Sequence, residues 1–384
     1  MSDRLTIVPA ETTAERKQFV RFQWEVYKGD PYWVPPLLSE REMFVDPMRH
    51  PFHQHAKVRL FTARRDGRIV GTIAAIANHN HNEYWGDQVG FFGLFEVLQD
   101  QEAAHELLRT AEASLREDGM DTVRGPVNYS TNEECGLLVD GWDGPPVVMM
   151  TYNPRYYVDY VESAGYSTAQ NLFAFLSDVR HVKPDGTGLN PKLLRVAEHV
   201  RERSDVTIRP IDMAHFQRDA GFFKEVYNQA WSKNWGFVPL TDAELEHEIT
   251  ALKPIIDPDT IFFVFKGDRP VAAGLPIPDL NQALHGAYPR PGVPEWWTMA
   301  KMLYNWKVRK MVTTIRAFAG GVVEEFRPQG LHALIIVETM KRCVPKYKDI
   351  EFSWVLESNI PMRQTAANMD ARLYRTYRIY ERKI

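Results

Sequence analysis

Two stretches of this 384-residue chain gather side chains able to do chemistry. One reads Glu324-Glu325-Phe326-Arg327-Pro328-Gln329-Gly330-Leu331-His332. Two carboxylates stand just before a basic, glycine-bearing turn that opens a helical pattern. A helix start presents unpaired N–H groups and about half a positive charge, so this turn has the makings of an anion site. The carboxylates are either proton acceptors or a solvated pair at a helix start. The other stretch, Gly125 to Tyr157, sets Asn132, Glu133, Glu134, Cys135, Tyr152 and Asn153 among glycines and prolines. Long irregular loops in compact domains are often functional, because ordering them costs entropy. His50, His53, His55, His79 and His81 bracket a hairpin pattern, but their spacing matches no common zinc site. No metal is expected. Cys135 and Cys343 are too few for a disulfide framework, and a lone cysteine is usually buried and inert.

The elements that must position these residues occur twice. Thr6-Ile7-Val8-Pro9 returns as Thr207-Ile208-Arg209-Pro210, offset by 201, and Glu25-Val26-Tyr27 as Glu225-Val226-Tyr227, offset by 200. WVPPL from Trp33 is echoed by FVPL from Phe237, and Arg59–Ile76 aligns with Ile261–Ile277 at 201 again. One register held through four matches marks a duplicated domain. The offset then grows to 228 at Asp121/Asp349 and falls to 206 at Asn153/Asn359. The second half therefore carries an insertion between Pro278 and Met311, and the first half one between Asn128 and Thr151.

Each half reads β-α-α-β-β-β-α-β-α-β. In the second, strands are expected at Val206–Ile211, Thr260–Phe265, Val271–Ile277, Thr313–Val323, Ile350–Leu356 and Arg372–Tyr380. Its main helices are Ala214–Ser232, Asp242–Leu252 and Gly330–Cys343, the last from apolar residues at helical spacing. Domain limits follow at 1–178 and 205–384, joined by a linker and helix over 179–204. The insertion Pro294–Met311 has Met299, Met302, Leu303 and Trp306 on one stripe, with Lys301, Lys307, Arg309 and Lys310 around it. It suits a lid or an interface, or a helix lying on an anionic membrane.

Composition excludes several classes. Apolar residues make up 44% and charged residues 25%, which argues against disorder. A net charge of −4 gives no pull toward nucleic acid. The apolar runs are too short to span a bilayer, and MSDRLTIVPA lacks a signal pattern, so a cytoplasmic location is expected.

The element order, with a strand running into VVEEFRPQGLHALII (Val322–Ile336), resembles the GNAT superfamily of acyl-CoA-dependent N-acyltransferases. Arg327-Pro328-Gln329-Gly330-Leu331-His332 fills that family's R/Q-x-x-G-x-G/A signature, with His332 in place of the last small residue. The resemblance covers both halves and implies an α/β protein of two tandem GNAT folds, with mixed, mostly antiparallel sheets flanked by helices. It further implies acetyl-CoA or another acyl-CoA as co-substrate, contacted by Val322, Val323, Arg327, Gln329, Gly330, Leu331, His332 and Asn359. The family often places a tyrosine seven residues after an asparagine such as Asn359, but Ala366 stands there, so Tyr374 or Tyr377 is the candidate acid. The first half's turn, Glu96 to Leu108, has neither glycine nor basic residue, and Asp100, Glu102 and Glu106 would repel a diphosphate. The donor is therefore expected in the second half.

Acyl transfer to nitrogen needs a neutral amine, and deprotonating a lysine-like amine at pH 7 costs about 4.6 kcal/mol. Glu324 or Glu325 would take that proton. Asn132, Glu133, Glu134, Tyr152 and Asn153 would bind a small amine or lipid-like acceptor, or the loop carrying them is a structural plug. The rival expectations are a long-chain acyl or aminoacyl transferase of the FemABX or ceramide-forming kind, and a non-catalytic acyl-CoA-binding protein. The chain is expected as a monomer or homodimer.

Overall fold

The computed structural model describes residues 4–384. Among the described residues thirteen strands are interspersed with helices: β1 (Leu5–Pro9), β2 (Ala56–Arg65), β3 (Arg68–Asn78), β4 (Val89–Val97), β5 (Thr122–Gly125), β6 (Leu137–Asp140) and β7 (Ser167–Asp178) come first. Then follow β8 (Thr207–Pro210), β9 (Phe262–Lys266), β10 (Arg269–Pro278), β11 (Thr314–Val322), β12 (Asp349–Leu356) and β13 (Arg372–Lys383). Two compact units divide them, and the chain passes between the units more than once. Of the described residues, one unit holds 4–172, 281–309 and 375–384, and the other holds 173–280 and 310–374.

The first unit orders its strands β1-β2-β3-β4-β5-β13, with β6 also paired to β13. All neighbours are antiparallel except β4 and β5. The helix Gln101–Glu117 covers this sheet because Ala103, Ala104, Leu107, Leu108, Ala111 and Leu115 recur at helical spacing and are all buried. Burying one such leucine contributes about 1.5–3 kcal/mol. The inserted segment 281–309 forms the helices Asn281–Ala287 and Glu295–Leu303 and a π-helical turn, Tyr304–Val308. It is tied down within this unit by Trp24 Nε1 donating to Pro289 O (2.9 Å), by Asn281 Nδ2 donating to Pro146 O (2.9 Å) and by Ser39 N donating to Glu295 Oε2 (3.0 Å).

The second unit orders its strands β12-β11-β10-β9-β8, antiparallel apart from β11 with β12. Phe222, Phe223 and Trp231 pack on Val226, Ala230, Phe263, Phe265 and Ala273 to build its core. The helix Pro191–Arg203, which the sequence places in a linker, is part of this unit and lies against the helix Leu331–Cys343.

Register confirms the duplication pair by pair. Phe61↔Ile73, Thr62↔Thr72 and Ala63↔Gly71 in the first hairpin match Phe262↔Gly274, Phe263↔Ala273 and Val264↔Ala272 in the second, each offset by 201. One strand later, Val89↔Thr122 matches Thr314↔Asp349. Thr122 therefore corresponds to Asp349, which moves the sequence alignment of Asp121 with Asp349 by one residue. Short runs such as Asp-Thr-Val carry too little pattern to fix a register that a hydrogen-bonded ladder fixes outright.

Candidate functional site

The turns that follow β4 and β11 are equivalent in the repeat but built differently. In the first unit only residues 98–100 separate β4 from its helix. Asp100 caps that helix, accepting from Ala103 N at 3.0 Å, and Arg65 clamps the same carboxylate through Nε (2.6 Å) and Nη2 (3.0 Å). Hydrogen bonding to Arg65 holds Asp100 below the usual carboxylate range. The anion at this helix start is thus the protein's own, with its counter-ion in place.

In the second unit the turn runs through residues 323–330, with Glu324–Gln329 in a 3₁₀-helix. The helix Leu331–Cys343 has no side-chain cap, so the orphan N–H groups of its first turn have no carboxylate of their own. Arg327 arches back over the turn, donating from Nε to Val322 O (3.2 Å) and from Nη2 to Ala230 O (2.5 Å). Arg327, Gln329 and His332 are exposed, whereas Val322, Val323 and Leu331 are buried. A cationic, uncapped helix start fits a diphosphate such as that of CoA. Gly330 has a local structural reason of its own. Its φ is +82°, and a Cβ would sit 3.2 Å from both Val196 Cγ1 and Val200 Cγ2 of the helix Pro191–Arg203.

Glu324 and Glu325 are surface carboxylates. Glu324 pairs with Lys233 (2.7 Å) and Glu325 with Arg269 (3.0 Å). Tyr374 keeps part of its surface open and donates to Glu351 Oε1 (3.2 Å), a fully buried carboxylate that also accepts from Ser353 Oγ (2.8 Å). Tyr377 is fully buried and belongs to the first unit. Asn359 caps the helix Ile360–Asn368 through Met362 N at 3.1 Å.

The parallel ladder is short in both units, and in the second Arg316 Nη2 also donates to Ser353 O at 3.0 Å. In the second unit β11 and β12 pair only from Thr314 to Arg316 with Asp349 to Glu351. In the first unit the corresponding strands remain stitched beyond their ladder. Val127 N donates to Phe92 O (2.8 Å) and Leu94 N to Asn128 Oδ1 (2.8 Å). Gly93 is required there, since a Cβ would lie 2.2 Å from Val127 O.

Within the first unit, the loop residues converge on a carboxylate that the sequence reading missed. Glu96 stands near the end of β4, its surface only partly open. Tyr157 donates to Glu96 Oε2 (2.8 Å) while accepting from Val97 N (2.6 Å). The Tyr27 hydroxyl stands beside this carboxylate and donates to Tyr152 O at 2.9 Å. Burial pushes Glu96 up to about 8, although the two tyrosines pull the other way. A carboxyl in that range exchanges protons near neutrality. The sign available in the sequence was a single glutamate inside the apolar run Val89–Val97.

Tyr152 and Glu134 come near this group, and other loop residues serve the scaffold. The Tyr152 hydroxyl donates to Asp30 (3.1 and 3.2 Å). Glu134 takes two bonds from Arg41 Nη2 (2.6 and 2.7 Å) and one from Asn128 Nδ2 (3.3 Å). Burial works against the Arg41 charge, but Glu134 and Glu40 more than offset it and raise its pKa. Asn153 is buried, accepting from Leu138 N (2.7 Å) and donating to Leu138 O (3.2 Å). Asn132 and Glu133 fold back through their backbone N–H groups onto Ser130. His53 Nε2 lies 3.1 Å from the Tyr129 hydroxyl, and the Tyr129 ring is stacked on Phe44 and Phe52. Among the described residues no group of three or more His, Cys, Asp or Glu side chains is arranged to hold a metal ion. Among them, too, no helix is long and apolar enough to cross a membrane.

No family model matches the chain. It is 35% identical to the bacterial ceramide synthase of Caulobacter vibrioides over 386 residues, covering 99% of this chain and 98% of that protein. It is 32% identical to protein YghO of Escherichia coli over 376 residues, covering 96% and 93%. Among solved structures, the tandem GNAT protein from the clavulanic acid biosynthesis pathway matches with a TM-score of 0.56 over 99% of this chain and 98% of that one. A GCN5-related N-acetyltransferase from Sphaerobacter thermophilus matches at 0.51, covering 100% and 96%. Both are 12% identical, a likeness of fold alone.

Proposed function

The chain belongs to the tandem GNAT family that includes the bacterial ceramide synthase of Caulobacter vibrioides, and on that premise we propose that it acylates the amine of a long-chain base from a CoA thioester. The observation that carries this is the 35% identity across nearly the whole of both chains. In the reaction the amine nitrogen attacks the thioester carbonyl, a C–N bond forms, the C–S bond breaks and the thiol departs with a proton.

The residues support separate roles. The uncapped helix start after Arg327, with Gln329 and His332 exposed beside it, supports donor binding in the second unit. The first unit's own turn is already neutralised by Asp100 and Arg65, which argues against a diphosphate there. Glu96 suits the base. An ordinary carboxylate near 4.3 lies about 6 units below an amine at 10.4, whereas a group near 8 lies about 2.4 units below it. The thermodynamic part of that proton transfer therefore falls from about 8 to about 3 kcal/mol. A thiolate with an ordinary pKa near 8.5 leaves without an obligatory acid, so Ala366 in place of the family's tyrosine is no obstacle.

The test is direct. The purified protein is incubated with sphinganine and either palmitoyl-CoA or acetyl-CoA, following thiol release and the amide product by mass spectrometry. N-acylated sphinganine formed preferentially from the long donor is expected. Donor binding without thiol release would make the protein a non-catalytic acyl-CoA binder. Preferred transfer of acetyl would make it an ordinary N-acetyltransferase.

A further inference from the structure

The inserted helix Glu295–Leu303 and its π-helical continuation Tyr304–Val308 present two different apolar faces. The inward one holds Thr298, Met302 and Asn305, all buried, with Asn305 Nδ2 donating to Ala283 O at 3.0 Å. Met299 and Trp306 are half-buried on that side. Leu303, which the sequence pattern puts on the same stripe, points outward instead. The outward face carries Trp296 (71% exposed), Trp297 (56%), Leu303 (46%), Tyr304 (54%) and Val308 (65%). Trp296 and Leu303, like Trp297 and Tyr304, stand seven residues or about two turns apart, and Val308 follows Tyr304 by four, so the five side chains share one side of the helix.

Such a stripe of large side chains is costly to leave in water, and isolated exposure does not account for five of them in thirteen positions. Its border is cationic. Lys301, Lys307 and Arg309 are exposed along it, and the segment's single carboxylate, Glu295, is engaged by Ser39. Lys307 Nζ lies 3.4 Å from the Trp306 ring centroid, so a cation sits where the apolar surface begins. Tryptophan and tyrosine beside lysine and arginine match the headgroup zone of an anionic bilayer, where the rings lie among the upper acyl chains and the cations meet phosphate. A protein partner would require shaped pockets for these rings, whereas a bilayer accepts them in any orientation. The segment is also too short and too polar on its inner face to span the membrane.

We propose that residues 295–309 form a peripheral membrane-docking helix that inserts Trp296, Trp297, Leu303, Tyr304 and Val308 into the surface of an anionic phospholipid bilayer. This goes beyond the proposed reaction and does not depend on it. The docking is readable in the absence of any acyl donor or acceptor.

The experiment is cosedimentation of the full chain with vesicles of phosphatidylcholine alone or with 30% phosphatidylglycerol, at low and at high salt. Strong binding to the anionic vesicles is expected, at least tenfold weaker for neutral vesicles and weakened by salt. W296S/W297S should lose at least tenfold in binding while its melting temperature stays within two degrees, since both rings are exposed. K301E/K307E should lose the preference for anionic lipid. Failure of the wild-type chain to bind anionic vesicles at low salt would overturn the proposal, as would binding unaltered in W296S/W297S. Should the wild type instead form dimers that W296S/W297S dissolves, with no vesicle binding, the stripe is a contact between copies and the proposal falls.

Discussion

Replacing Glu96 by glutamine should stabilise the protein while removing its activity. The pKa of this carboxyl is about 8 when folded, against 4.5 for an unperturbed glutamate. Between those values the native state keeps a proton that the unfolded chain has released, so the native state binds more protons and stability falls as pH rises. At pH 7 the difference of 2.5 units corresponds to about 3 kcal/mol. Water at the open edge of the side chain reduces this to about 2 kcal/mol. Glutamine imitates the protonated form: its carbonyl accepts from Tyr157 and its amide donates to Tyr27. At 2–4 °C per kcal/mol the variant should melt about 4–8 °C higher at pH 7. The gap should close below pH 4.5 and widen up to pH 8. Thermal unfolding followed by circular dichroism across that range measures it. Acyl transfer should fall by about 10²–10⁴-fold, and the wild-type rise in rate between pH 6 and 8 should vanish. A variant that melts below the wild type at pH 8, or a gap independent of pH, would refute the assignment of Glu96 as a carboxyl protonated by burial.

Asp100→Ala should cost about 1–2 kcal/mol in urea unfolding, by loss of a cap and of the Arg65 clamp, yet leave palmitoyl-CoA binding unchanged in calorimetry. Lost binding would move the donor to the first unit. Gly330→Ala should cost about 1–2 kcal/mol, from its positive φ and the 3.2 Å approach to Val196 and Val200. Adding Val196→Ala should recover part of that, and a fully additive double mutant would show that the helix contact is irrelevant. Glu134→Ala strands the Arg41 guanidinium, whose side chain is 17% exposed, and should cost about 2–3 kcal/mol in denaturant. A loss under 0.5 kcal/mol would mark the pair as a surface contact.

Local pattern made the elements legible. The hairpins, the helix after Gly330 and the strand at Arg372 stand where periodicity and turn residues put them, to within a few positions. Neighbour choice was not legible, because a strand's alternation states which faces it has and not what it pairs with. The last strand illustrates this, pairing Tyr380–Lys383 with Gly125–Thr122. Side-chain direction was equally hidden in the inserted segment, where both faces are apolar and only packing separates Met302 from Leu303. The chemistry of Glu96 carries no mark in the sequence because burial raises its pKa, and only the folded chain supplies that burial. Glu324 and Glu325 stand out in the sequence, whereas the ladder matches Glu96 to Gly321: Thr72 faces the first as Ala273 faces the second. A Cβ on Gly321 would lie 2.4 Å from the Trp231 ring, so the repeat has kept the place and lost the group.

The first unit is assembled from the two ends of the chain and a piece of its middle, and this bears on how the protein is made. A ribosome delivers residues at about 5–20 per second. Roughly ten to forty seconds therefore pass between the emergence of residue 172 and that of the final strand. Throughout that interval the edge of β5 awaits its antiparallel neighbour, a bare row of amides open to wrong partners. Premature termination that removes only the last ten residues would thus injure the part of the protein synthesised first. For the same reason, no single cut in the gene yields both units intact.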